Sequence, residues 1–182
     1  MLTVGLIGAG RIGRVHASTI VQDEGSQLVA VADSVDENAK NLAKLYKVNP
    51  RSVDAIFEDN SIEAILIASS TDTHSDFIEK ASKAGKAILC EKPVDLSLAR
   101  AKRCLENAKS NKNSIMMGFN RRFDPNFVAL KKALDGGEIG TAELLSITSF
   151  DPAPPPIDYV KVSGGIFKDM MIHDFDLSLI HI

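Results

Sequence analysis

The chain reads as an α/β fold, a doubly wound parallel sheet followed by the incomplete start of a second α/β unit. Three observations carry that reading. Short apolar runs alternate with amphipathic stretches from Thr3 to Gly118. A glycine-rich turn, Gly8-Ala9-Gly10-Arg11-Ile12-Gly13, closes the first run and opens the first amphipathic stretch. Beyond Gly118 the alternation stops. Strand, helix and strand in strict alternation require right-handed crossovers, and therefore a parallel sheet covered on both faces.

The strands are expected at Thr3 to Ile7, Gln27 to Ala32, Ala64 to Ala68, Ala87 to Cys90 and Ser114 to Gly118, each a short apolar run. Helices are expected at Arg11 to Val21, Asp36 to Tyr46, Ser75 to Ala84 and Ser97 to Lys109, where apolar residues recur at i, i+3 and i+4. Asp36 and Ser97 stand where N-caps belong, because their side chains can accept from the first free N–H groups. Further on, a helix from Pro125 to Leu134 leads into Gly136-Gly137, a strand from Ala142 to Ser149, a proline-rich segment from Pro152 to Pro156, and a last helix after Gly164-Gly165. One strand cannot make a sheet, so this second unit reads as unfinished.

A chain of 182 residues can bury a core as one domain, or one domain with an appendage. Its net charge of -3, without a basic tract to follow a phosphate backbone, argues against nucleic acid and for a small-molecule partner. Cys90 and Cys104 lack metal or redox spacing and read as buried free thiols in a reducing compartment. The start has no basic n-region, and no apolar run reaches about 18 residues, so the expected location is the cytoplasm, with no membrane partner.

The glycine motif gains weight from its surroundings: it follows a strand, precedes a helix, and is followed about 20 residues later by an acid at a strand end, as a Rossmann fold requires. Gly8 permits the tight turn and Gly10 lets the backbone approach a pyrophosphate. Gly13 lets helix and strand pack closely, while the helix N-terminus, from Arg11 and Ile12, offers N–H groups to the anion. Asp33 can accept both ribose hydroxyls and would repel a 2'-phosphate; Ser34 follows it, with no adjacent arginine, so NAD is expected over NADP. The plainer reading of Asp33 is an acid capping a strand end.

Ser69 opens a polar stretch to His74 at the end of a strand, where ligands bind in open parallel sheets. His74 is a cofactor contact or only a cap near a helix start. Glu91-Lys92-Pro93 ends the next strand, and a cis bond before the proline would direct the lysine sharply. Asp169 and His173 stand four apart with Asp176 three further on, so one helix would put all three on roughly one face. His173 is suited to accept an alcohol proton and Asp169 to orient it and stabilise its cation. A metal site is the rival chemistry, without an obvious compact third ligand, so no metal is expected. A first-turn acid beside a packed histidine is the bland alternative.

Together these residues resemble the family named for glucose-fructose oxidoreductase, inositol dehydrogenase and rhizopine catabolism proteins, from Met1 to the last residue. The matching segments are the glycine loop, Glu91-Lys92-Pro93, Gly118-Phe-Asn-Arg121-Arg122-Phe123-Asp124, and Gly164-Gly165 through Asp176. Within the family, the stretch from Asp151 to Asp176 looks most like inositol 2-dehydrogenases. The resemblance implies a Rossmann NAD-binding domain at 1–120 and the N-terminal part of a substrate and oligomerisation domain at 121–182. It implies Lys92, Asp169 and His173 as the catalytic group, with Lys92, Arg122, Asp151, Asp169, His173 and Asp176 around a cyclic polyol, foremost myo-inositol. Gly8, Gly10, Arg11, Ile12, Gly13, Asp33, Ser69, His74, Glu91 and Lys92 would hold NAD.

Two departures stand out. Family members continue through an open sheet that completes the substrate domain and builds a homo-oligomer, whereas this chain ends at Ile182 inside the helix carrying His173. Phe150 also stands where a polar or basic residue is common. The alternatives are an inactive nucleotide-binding remnant or interaction module, and a dehydrogenase for another sugar.

Overall fold

The structure is a computed structural model that describes residues 1–111 and 113–181. It divides into two compact units, residues 1–118 and 119–182. The first contains β1 (Leu2–Ile7), α1 (Arg11–Gln22), β2 (Ser26–Ala32), α2 (Asp36–Tyr46), β3 (Asn49–Pro50), α3 (Val53–Glu58), β4 (Ala64–Ile67), α4 (Thr71–Lys83), β5 (Ala87–Cys90), α5 (Leu98–Ser110) and β6 (Ile115–Met117). The strands form one sheet in the order β3-β2-β1-β4-β5-β6, every pair parallel. The chain leaves β1 for β2 on one side and resumes at β4 on the other. That reversal opens a crevice outside the C-terminal ends of β1 and β4, and ligands bind at such switch points.

Period-two alternation along the central strands sends side chains to two cores. Val4, Leu6 and Leu66 pack with Ala17 and Ile20 of α1 and Leu42 of α2. Ile65, Ile67, Ile88 and Cys90 pack with Ile56 of α3, Ile78 of α4 and Cys104 of α5. Both faces are thus covered, as the apolar runs predicted. Packing also outweighs capping: α2 begins after Val35, which offers no side-chain cap. A missing cap costs about 1 kcal/mol, whereas burying a residue such as Leu42 contributes about 1.5–3 kcal/mol. Asp36, expected at the cap, lies instead in the first turn with Glu37, where acids still favour the helix dipole. Ser97 does cap α5, its hydroxyl accepting from the Arg100 N–H at 3.4 Å.

Two local differences have simple causes. The pair β3 and α3 is absent from the sequence reading because two exposed residues and a six-residue helix are too short to display a period. Ser52 fixes the start of α3 by accepting from the Ala55 N–H at 3.2 Å. The start of α4 is Thr71 rather than Ser75, since its first turn is polar and carries Asp72 at the positive helix end.

In the second unit a short 3-10 turn, Asn120–Phe123, precedes α6 (Pro125–Asp135), α7 (Ile157–Val160), α8 (Gly165–Asp169) and α9 (Met171–His181). The Asp124 side chain caps α6, accepting from the Asn126 N–H at 2.9 Å, with Pro125 in the first turn. The strand expected from Ala142 to Ser149 is not formed. Half-buried Leu145, Ile147 and Ser149 still alternate with exposed neighbours, but strand structure needs a hydrogen-bonded partner. Leu144 and Phe150 are each 90% exposed. The single last helix is also corrected: α8 and α9 meet at Met170, between Asp169 and His173.

Candidate functional site

The glycine loop is built where β1 turns into α1. Gly8 has φ +105°, and a Cβ there would lie 2.4 Å from the Ala68 carbonyl carbon and oxygen. A Cβ on Gly13 would lie 1.9 Å from the Gly8 carbonyl oxygen. Neither position can carry a side chain without moving backbone. Gly10 is different, because a Cβ there would meet nothing within 4 Å. No side chain caps α1, which starts at Arg11. A cleared approach at Gly10 beside an uncapped helix start fits a dinucleotide pyrophosphate.

Asp33, just past β2, is tied to this loop. Its Oδ2 accepts from the Ala9 N–H at 2.6 Å, and its Oδ1 accepts from the Val35 N–H at 2.8 Å. The carboxylate is half-buried and followed by exposed Ser34. Such an acid beside the glycine loop fits a ribose diol.

The ends of β4 and β5 supply further groups. Ser69 exchanges a 2.7 Å hydrogen bond with Thr73. His74 is 1% exposed on α4, with Nδ1 2.8 Å from the Pro93 carbonyl and Nε2 3.1 Å from the Ser69 carbonyl. It is a strut between two loops, and its ring edges face backbone. The Lys92-Pro93 bond is cis. Lys92 itself is half-buried. Glu91 accepts from His16 of α1, with Nε2 and Oε1 2.7 Å apart. Burial alone would push the Glu91 carboxyl up, but the hydrogen bond and charge of His16, with the Lys92 N–H and charge, hold it below the usual carboxylate range.

The second unit carries the remaining predicted residues. Asp169 ends α8, and its Oδ1 accepts from the Tyr159 hydroxyl at 2.8 Å. His173 lies on α9 with its ring edge-on to Phe119, centroids 6.3 Å apart. Arg122 grips Asp176 with two N–H groups, Nε donating to Oδ2 at 2.7 Å and Nη2 to Oδ1. Asp176 is 7% exposed, and this pairing raises the Arg122 pKa. The same guanidinium lies 5.8 Å over the Phe119 ring. Arg121 donates to Ser149 at 3.0 Å and to Asp174. Asp151 is exposed. Among the described residues, no group of three or more His, Cys, Asp or Glu side chains could hold a metal ion, and no helix is long and apolar enough to cross a membrane.

His16, Tyr159 and Phe119 escape a reading by local spacing. Each meets its partner only through folding, and His16 is 75 positions from Glu91. The buried thiols agree with expectation: Cys90 and Cys104 are free, and burial raises the pKa of both.

The model of an oxidoreductase family with an NAD-binding Rossmann fold, named for glucose-fructose oxidoreductase, inositol dehydrogenase and the rhizopine protein MocA, matches residues 2–119. An inositol 2-dehydrogenase from Rhizobium meliloti strain 1021 is 51% identical over 96% of this chain and 53% of its own length. The crystal structure of a myo-inositol dehydrogenase from Corynebacterium glutamicum superposes with a TM-score of 0.95 and 43% identity, covering 100% of this chain and 55% of that one. A scyllo-inositol dehydrogenase from Lactobacillus casei, with bound NAD(H) and scyllo-inositol, gives 0.86 at 29% identity, covering 100% of this chain and 56% of that one. The chain therefore spans about half the length of the relatives it matches.

Proposed function

The chain belongs to this NAD-binding Rossmann oxidoreductase family, and on that premise we propose that it serves NAD-dependent oxidation of a cyclic polyol, foremost myo-inositol. The observation that carries the redox reading is the cradle: Gly8 and Gly13 closed to any Cβ, Gly10 open, and Asp33 locked to the Ala9 N–H. The relatives named for inositol support the polyol.

In this reading Gly8, Gly10 and Gly13, with the N–H groups of Arg11 and Ile12, receive the pyrophosphate, and Asp33 receives the ribose. Ser69, Glu91 and Lys92 line the far side, and His74 acts by holding their loops. Bound NAD supplies the acceptor for the hydride. Lys92 holds the reacting oxygen. His173 takes the hydroxyl proton, and Asp169, itself held by Tyr159, orients His173. Arg122 and Asp176 meet the substrate as one bidentate pair, and Asp151 is a further substrate contact. The second unit corresponds to the beginning of a substrate and oligomerisation domain, and the two reduced thiols suit a cytoplasmic protein.

Fluorescence titration with NADH and NADPH tests the cofactor, and NADH is expected to bind more tightly. A hydrogen bond to a charged group is worth about 1.5–3 kcal/mol, so Asp33→Ala is expected to weaken NADH by roughly 10- to 100-fold and narrow the gap. Equal affinities for the two, or a preference for NADPH, would remove Asp33 from the reading. Absorbance at the NADH band, followed with a panel of inositols and pyranoses, tests the substrate. Turnover of a pyranose alone would overturn the inositol assignment, and tight NADH binding without any turnover would favour a nucleotide-binding module.

A further inference from the structure

We propose that His16 is a positioning residue for Lys92, acting through the Glu91 carboxylate. The inference deepens the proposed function, since it rests on that reading for the role of Lys92. His16 belongs to α1, the helix whose N-terminus faces the pyrophosphate, yet its Nε2 lies 2.7 Å from Oε1 of Glu91 at the end of β5. In the sheet β4 separates β1, the strand that leads into α1, from β5, so the contact links parts of the chain that are not sheet neighbours.

The Glu91 carboxylate is confined on several sides. The His16 and Glu91 side chains are 23% and 19% exposed. On the β6 side stands Gly118, where a Cβ would come within 3.0 Å of the carboxyl carbon and Oε2. Gly118 is held there by its N–H, which donates to the Cys90 carbonyl at 2.7 Å. Within this slot the carboxylate also accepts from the backbone N–H of Lys92. One carboxylate therefore connects the imidazole of the phosphate-binding helix to the main chain that aims the lysine.

Among the described residues, the charged and titratable groups facing Glu91 are His16 from α1, Lys92 from its own loop, and the Cys90 thiol of β5, which burial keeps protonated. Burial is the largest influence on Glu91 and pushes its pKa up; His16 leads the groups that reverse it. Without His16 the carboxyl would take a proton at higher pH, become a weaker acceptor, and release the Lys92 N–H. A simple strap between helix and sheet would lower stability on removal but would not couple the Lys92 backbone to a carboxyl titration.

The test follows the Lys92 amide and its side-chain Cε by NMR across pH, in the whole chain and in His16→Ala and His16→Gln. In the native protein the Lys92 amide shift is expected to report Glu91 with a midpoint below the ordinary glutamate range. In His16→Ala the midpoint is expected to rise and the Lys92 Cε shift to change. His16→Gln, which keeps a neutral donor, is expected to lie between, and it preserves the test if the alanine variant fails to fold. A Lys92 amide titration identical in all three proteins would overturn the proposal, as would a loss of thermal stability in the variants with no movement of the Lys92 signals. A native chain that failed to bind NADH would defeat the functional reading, while the Lys92 signals would still decide the coupling.

Discussion

Gly13→Ala is expected to destroy dinucleotide binding and destabilise the fold together, whereas Gly10→Ala is expected to impair binding alone. The added Cβ at Gly13 would sit 1.9 Å from the Gly8 carbonyl oxygen and 2.8 Å from its carbonyl carbon, far inside contact distance. Gly8 cannot retreat easily. Its N–H donates to the Ala32 carbonyl at 2.8 Å, and behind it lies the Ala68 backbone. Overpacking of this kind costs about 1–3 kcal/mol, equivalent to a fall in Tm of roughly 3 to 10 °C for a chain of this size. At Gly10 the added methyl meets no protein atom within 4 Å, so Tm should hold while NADH affinity falls. Thermal melts and NADH fluorescence of the two variants provide the measurement. If Gly13→Ala bound NADH like the native chain, the turn would be a mere loop; if Gly10→Ala did so, the space above it would not be the pyrophosphate path.

The first unit was largely legible because its information is local. The runs from Thr3 to Ile7 and Ala64 to Ala68 are apolar on both alternations, and that is what a strand covered on two faces must be. The glycine loop was legible for the same reason, since a turn, a close packing and a ligand approach each require an absent side chain at a fixed offset. What escaped depends on contacts distant in sequence. Nothing around His16 announces Glu91, and nothing around Tyr159 announces Asp169. His74 reads from sequence as either a cap or a cofactor contact, and in the fold its two ring nitrogens lie against the Pro93 and Ser69 carbonyls, partners that no local pattern announces.

The second unit departs from its sequence pattern at two places. The segment from Ala142 to Ser149 has the alternation of a strand, yet alternation supplies side chains and not hydrogen-bonding neighbours. The polar stripe Asp169, His173 and Asp176 assumed one helix, and the joint at Met170 divides it. Asp176 then meets Arg122, while Ser149 bridges Arg121 and Asp174. These pairs join the 3-10 turn and the segment at 142–149 to α9 through charged and polar groups.

His173→Ala is expected to lower polyol turnover by about 100- to 10,000-fold, the usual worth of a general base, with NADH affinity unchanged. Two effects compete to explain any loss. His173 makes an edge-on contact with the Phe119 ring at 6.3 Å, and such an aromatic pair is worth about 0.5–1.5 kcal/mol. If packing were its whole contribution, the variant would show a modest fall in stability and a rate loss of about tenfold or less. If it takes the substrate proton, the rate should fall well beyond that while the fold persists, because the Arg122–Asp176 pair still anchors α9. Steady-state rates on the best polyol of the panel, read beside NADH affinity and thermal melts, separate the two. Lys92→Ala should lose rate comparably. A His173→Ala protein with near-native rates would return the histidine to its packing role, and recovery of the variant on adding a divalent metal would point to a ligand in place of a base.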